Sequence, residues 1–151
     1  MSPSPLDTFN LWPLVKRLGY GGWLPFYGLL GAGWLWPQAV WPHTLMQAYA
    51  VAIVSFVGAI SWGWALAWPQ AEGRLRTHLL VWGVMPALLA CLALVLPKES
   101  TWWALLVVYA IAWAMDGVFA KRLHLPPAWM RMRTHLSLGV GLAMVLAAIT
   151  F

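Results

Sequence analysis

The chain has 151 residues, 62% of them hydrophobic and only 9% charged, with a net charge of +5 and a mean hydropathy of +0.73. A water-soluble domain carries about 25% charged residues, so this chain could not cover a wet surface, and the bilayer is its expected solvent. The positive charge does not point to nucleic acid either, because the basic residues flank apolar runs, where they meet anionic headgroups.

Residues 1–17 read as an interfacial N-terminal segment, broken up by Pro3, Pro5, Asp7 and Pro13. No small-residue cleavage site follows a short apolar core, so the first apolar run reads as a retained span and not as a signal peptide. Residues 18–151 read as one all-α domain, an integral membrane bundle of five transmembrane helices. The apolar segments run from Leu18 to Trp36, Thr44 to Trp68, His78 to Leu96, Thr101 to Ala120 and Ala128 to Phe151. Each is near the roughly 20 residues that cross a bilayer. They are too long and too continuously apolar for barrel strands. The links between them are short, so consecutive helices are expected to be antiparallel neighbours.

Charge then sets the expected orientation. Of the nine basic residues, only Lys98 falls on one side of this arrangement. Lys16, Arg17, Arg74, Arg76, Lys121, Arg122, Arg131 and Arg133 fall on the other. The positive-inside rule puts that side in the cytoplasm, with the N-terminus inside and the C-terminus periplasmic. The expected location is a bacterial inner membrane; a mitochondrial inner membrane, basic side to the matrix, is the alternative. Most of the 13 Trp residues fall near one interface or the other and read as anchors, while Trp82 and Trp113 lie deeper.

Small residues recur at fourfold spacing: Ser55, Ala59, Gly63 and Ala67 in the second span, and Gly139, Ala143 and Ala147 in the fifth. Such stripes let backbones approach closely. Packing within the chain is the plain reading, and docking of a partner protein the sharper one. Pro25 and Pro86 lie inside spans one and three. Pro86 leaves the Trp82 carbonyl without its helical donor and predicts a kink there.

Asp116 is the one acidic residue within a span. An ionised Asp at a bilayer centre costs about 2.5–3.5 kcal/mol on insertion scales, so it needs a partner. Arg131 and Arg133 at the start of span five are the expected partners in a structural ion pair. The functional reading makes Trp82, Trp113 and Asp116 a ligand-binding set beside the Pro86 kink. His78, His124 and His135 share the basic side with Glu72, but no His-x-x-x-His and no cysteine pair accompanies them. No metal, no cofactor and no catalytic set is expected. Cys91 is the single cysteine, and the intramembrane Ser55 and Ser61 have no acid beside them in the same half.

Four stretches carry a family likeness: LGYGGWLPF at Leu18–Phe26, SFVGAISWGWAL at Ser55–Leu66, WGVMPALLACLALVLP at Trp82–Pro97 and LPPAWMRMRTHLS at Leu125–Ser137. In order and spacing they resemble domain of unknown function 3429, over nearly the whole chain. The resemblance implies a small multi-span helical protein, of a kind found in bacterial inner membranes and among proteins like transmembrane protein 69. It brings no catalytic residues. Length, span count and Trp content are also similar to the tryptophan-rich sensory proteins, which bind porphyrins and sterols. The short link after span one departs from their long loop.

The leading functional reading is a non-enzymatic accessory or assembly factor for a membrane complex. Its expected partners are the bilayer and another integral membrane protein. Binding or transport of a small lipophilic ligand is the alternative. A membrane-embedded enzyme acting on lipid, with Asp116 and the basic-side histidines as its polar groups, is the third reading.

Overall fold

The computed structural model describes residues 11–69 and 71–150. The first ten residues of the interfacial segment expected over 1–17, Asp7 among them, lie outside the described residues, as does Phe151. The described residues form seven helices and no strand. They are α1 (Trp12–Gly21), α2 (Trp23–Leu35), α3 (Trp41–Ala67), α4 (Gly73–Trp82), α5 (Met85–Ala93), α6 (Lys98–Arg122) and α7 (Pro127–Thr150).

Among the described residues, four stretches are long and apolar enough to cross a membrane: Trp41–Ala67, Gly73–Ala93, Lys98–Arg122 and Pro127–Thr150. The expected first span behaves differently, because it is divided between α1 and α2 at Gly22. Pro25 has no N–H for the Gly21 carbonyl, four residues back. The Gly22 N–H turns to the Gly19 carbonyl at 3.1 Å, and Gly22 keeps right-handed angles (φ −61°, ψ −17°). The chain tightens there without reversing.

The third span is interrupted as well. α4 ends at Trp82 and α5 starts at Met85, with Pro86 in its first turn. The Val84 N–H donates to the Val81 carbonyl, and the Leu80 carbonyl instead accepts Trp62 Nε1–H at 2.8 Å. Hydrocarbon offers a freed carbonyl no water, so an indole supplies the donor. Gly83 makes room for it, since a Cβ there would come within 2.2 Å of the Trp62 ring. Trp62 is therefore a backbone cap, where sequence position alone read it as an interfacial anchor.

The helices close a ring: α2 on α3, α3 on α4 and α5, α5 on α6, α6 on α7, and α7 back on α2, with α3 also touching α6 across the middle. Side-chain bonds to backbone pin the ring. Trp23 and Tyr27 of α2 donate to the Leu136 and Gly139 carbonyls of α7, and Trp34 reaches Thr150. Those pairings ascend together, so α2 and α7 run the same way. Between α3 and α6 the pairs are His43–Trp102, Ala50–Tyr109 and Trp68–Leu123, which also ascend together. With α2, α4, α5 and α7 pointing one way and α3 and α6 the other, every described basic residue except Lys98 lies toward one end of the bundle, with Arg133 deepest.

The two small-residue stripes have opposite fates. Gly139 receives the Trp23 indole, where a Cβ would lie 2.3 Å from the ring, and Ala143 and Ala147 are fully buried. On α3, by contrast, Ala59, Gly63 and Ala67 are exposed, and a Cβ on Gly63 would meet nothing within 4 Å.

Candidate functional site

The core is split into two apolar clusters. One holds Phe26, Met46, Val54, Leu105, Ala112 and Val140 among others, and the second holds Trp64, Leu79, Phe119 and Leu123. Between them the four long spans contribute polar or broken structure. α3 contributes Ser61, α6 Asp116, α7 Arg133 and Ser137, and the third span its interruption at Trp82–Pro86. The α3–α6 pairings, separated by 55 to 59 positions, put Ser61 at the level of Asp116. Trp82 packs against both clusters and so borders the same layer.

Within this layer Asp116 is 2% and Arg133 5% exposed. Arg133 donates Nε–H to Asp116 Oδ2 at 2.7 Å and Nη1–H to Ser137 Oγ at 2.8 Å. It is the one ion pair among the described residues. Arg131, two positions earlier, is exposed on another side of α7, because neighbours two apart do not share a helix face. Three buried polar atoms in the layer have no partner: Ser61 Oγ, Trp82 Nε1 and Arg133 Nη2. The carboxylate is shut away from both ends and already accepts a guanidinium bond. Chemically, the pair fastens α6 to α7 in a place where either charge alone would be costly.

Trp82, Trp113 and Asp116 are not gathered around one cavity. Asp116 faces inward, whereas Trp113, on the same helix, is 40% exposed and donates its indole N–H to Thr134 Oγ1 at 3.0 Å. Trp113 lines cavities on the outer side of α6 and α7 to which neither Trp82 nor Asp116 contributes. The basic-side histidines are likewise dispersed. His135 contacts the Tyr20 hydroxyl at 3.2 Å, and His124 sits in the α6–α7 link. Among the described residues no three His, Cys, Asp or Glu side chains converge as metal ligands.

Sequence reasoning gathered every polar site on the basic face, and the structure adds one at the opposite end. His43 accepts the Trp102 indole N–H at 3.3 Å and lies 3.5 Å from Gln47. With Lys98, Gln38 and Thr150 it lines a cavity of about 390 Å³. The signal was present in the exceptions, because His43 and Lys98 are the two residues of their kinds that break the charge segregation.

No curated protein and no solved structure matches the chain. A family model described as protein of unknown function (DUF3429) matches residues 12–149. With this apolar helical ring and a match over almost its whole length, the chain belongs to the DUF3429 family.

Proposed function

We propose that the chain is a non-enzymatic accessory protein of a larger membrane complex, holding a partner helix against the open face of α3. The carrying observation is the uncovered small-residue face formed by Ala52, Ala59, Gly63 and Ala67, with exposed Phe56 and Leu66 between them. Lipid tails gain nothing from small residues, whereas a second helix can come close over them. The same pattern on α7 is filled from within the chain, by Trp23.

In this reading the protein crosses a bacterial inner membrane five times, N-terminus in the cytoplasm and C-terminus in the periplasm. α1 and α2 together supply the fifth crossing. Their 24 residues from Trp12 to Leu35 would extend about 36 Å at helical rise, against about 30 Å of hydrocarbon. The packing of α2 between α3 and α7 supports it, and the basic end is the side the positive-inside rule retains.

The test is co-purification in mild detergent from native membranes. The wild-type chain is expected to bring down a defined membrane protein. Gly63→Leu is expected to lose that protein while keeping its melting temperature, because a Cβ there meets nothing within 4 Å among the described residues. A partner retained by Gly63→Leu, or the absence of any stoichiometric partner, would sink the proposal. Reporter fusions at the two termini check the orientation.

A further inference from the structure

Two cavities on the outer side of α6 and α7 lie end to end and form the two halves of one groove. The upper one, about 280 Å³, is lined by Leu106, Leu138, Leu142 and Val145. The lower one, about 590 Å³, is lined by Gly117, Val118, Met130 and, at its foot, Lys121 and His124. Trp113 and Thr134, hydrogen-bonded to each other at 3.0 Å, line both, so the two adjoin at this pair. The groove is apolar along its length and basic at one end. Among the described residues no acidic side chain (Glu72, Glu99 or Asp116) lines either cavity.

Its dimensions are those of one lipid. From Leu106 to Lys121 the α6 wall rises about 22 Å. Half of a bilayer, headgroup layer included, is also about 20–22 Å. Lys121 ends the groove at the basic face of the bundle, at headgroup depth, while Leu106 and Val145 lie toward the bilayer centre.

The foot of the groove is also where the backbone departs from its ordinary range. α6 closes with the Leu125 N–H on the Ala120 carbonyl at 2.9 Å and the His124 N–H on the Lys121 carbonyl at 3.4 Å. This closure places residue 124 in the left-handed region, at φ +54°, a position that glycine fills most often. A glycine would close the helix with less strain. It would also remove from the foot of the groove a ring that can donate a hydrogen bond and, when protonated, carry charge.

We propose that this groove binds a single anionic phospholipid, its phosphate on Lys121 and His124 and an acyl chain along Trp113, Leu106 and Leu142. Basic pockets between helices at the cytoplasmic side of a membrane take such headgroups, each basic residue adding about 1 kcal/mol. The site lies on α6 and α7 and the partner face on α3, so the two readings stand or fall separately.

The test is native mass spectrometry of the full chain, extracted from vesicles of equal phosphatidylglycerol and phosphatidylcholine. The wild type is expected to retain one phosphatidylglycerol in preference to phosphatidylcholine. Lys121→Ala should weaken that preference about fivefold, the equivalent of about 1 kcal/mol. Lys121 is exposed, so the fold should tolerate the change. His124→Asn carries the same test should Lys121→Ala fail to fold, because Asn accepts the left-handed backbone.

Gly141→Leu, whose Cβ would meet Leu106 at an ordinary 3.5 Å, should fill the upper groove and abolish retention of either lipid. Arg74→Ala, at the same end but outside the groove, should change nothing, and excess inorganic phosphate should not displace the lipid. Equal retention of the two lipids by the wild type would overturn the proposal. So would an Arg74→Ala loss as large as that of Lys121→Ala, a Gly141→Leu protein that still holds lipid, or displacement by phosphate.

Discussion

α3 and α7 carry the same kind of sequence, an apolar helix with small residues every fourth position, and the fold uses them in opposite ways. The inward face of α7 is fully committed: Arg133 to Asp116, Gly139 to the Trp23 indole, Ala143 and Ala147 to the core. Among the described residues the outward face of α3 is committed to nothing, and Ala59, Gly63 and Ala67 stand open. A small-residue stripe therefore records that something comes close. What comes close is decided by the large residues opposite, here Trp23 for α7 and, among the described residues, none for α3.

The contrast is broken most forcefully at Arg133. Arg133→Met leaves Asp116 buried without its only ion-pair partner among the described residues, and such half-removals cost about 3–5 kcal/mol. Unfolding in mixed detergent–SDS micelles should show that loss. The double variant Asp116→Leu/Arg133→Met should recover most of it, because apolar replacements of a buried pair are often neutral. A single variant as stable as the wild type would mean that α7 is not held through this pair.

Gly139→Leu comes next. Its Cβ would sit 2.3 Å from the Trp23 ring, and Trp23 also bonds the Leu136 carbonyl at 3.3 Å. Overpacking of this kind costs about 1–3 kcal/mol, and the expelled indole should separate α2 from α7. Cysteine crosslinking between the two helices should then fall together with the melting temperature. Unchanged crosslinking would show that the site can absorb the side chain.

Trp62→Phe tests a smaller term. The substitution removes the donor to the Leu80 carbonyl at the broken third span. Leaving such a group unpaired costs about 1–3 kcal/mol, at the low end here because Trp62 is 46% exposed and its replacement still covers Gly83. Faster amide exchange at Gly83 and Val84 is the expected local sign, and protection equal to the wild type would count against the cap.

Most of the architecture was legible in the sequence, because hydropathy and charge act over whole segments. The helical class and the sites of interruption follow from composition, Pro25 and Pro86. The four long spans lie close to their expected bounds. The first segment was the exception: Gly, Tyr and Trp dilute its apolar character, and Pro25 divides it at Gly22. The site was less legible. That Asp116 meets Arg133 rather than Arg131 is a matter of helix phase at the start of α7, which no spacing rule supplies. The indole bonds of Trp23, Trp62 and Trp68 were invisible because a Trp near a span end is an anchor by statistics. Only a backbone carbonyl within reach makes it a pin, and that requires the neighbouring helix.

The smallest expected effect is the most discriminating. Gly63→Leu introduces as much bulk as Gly139→Leu, but on an open face with nothing within 4 Å of the new Cβ among the described residues. Replacing a helix-interior glycine by a good helix former is favourable by about 0.5–1 kcal/mol. The isolated protein should therefore melt at the wild-type temperature or slightly above it. Gly139→Leu, the same substitution on the committed helix, should melt well below. If the two variants instead lose stability equally, the α3 face is filled from within the chain after all, and its small residues have no bearing on a partner.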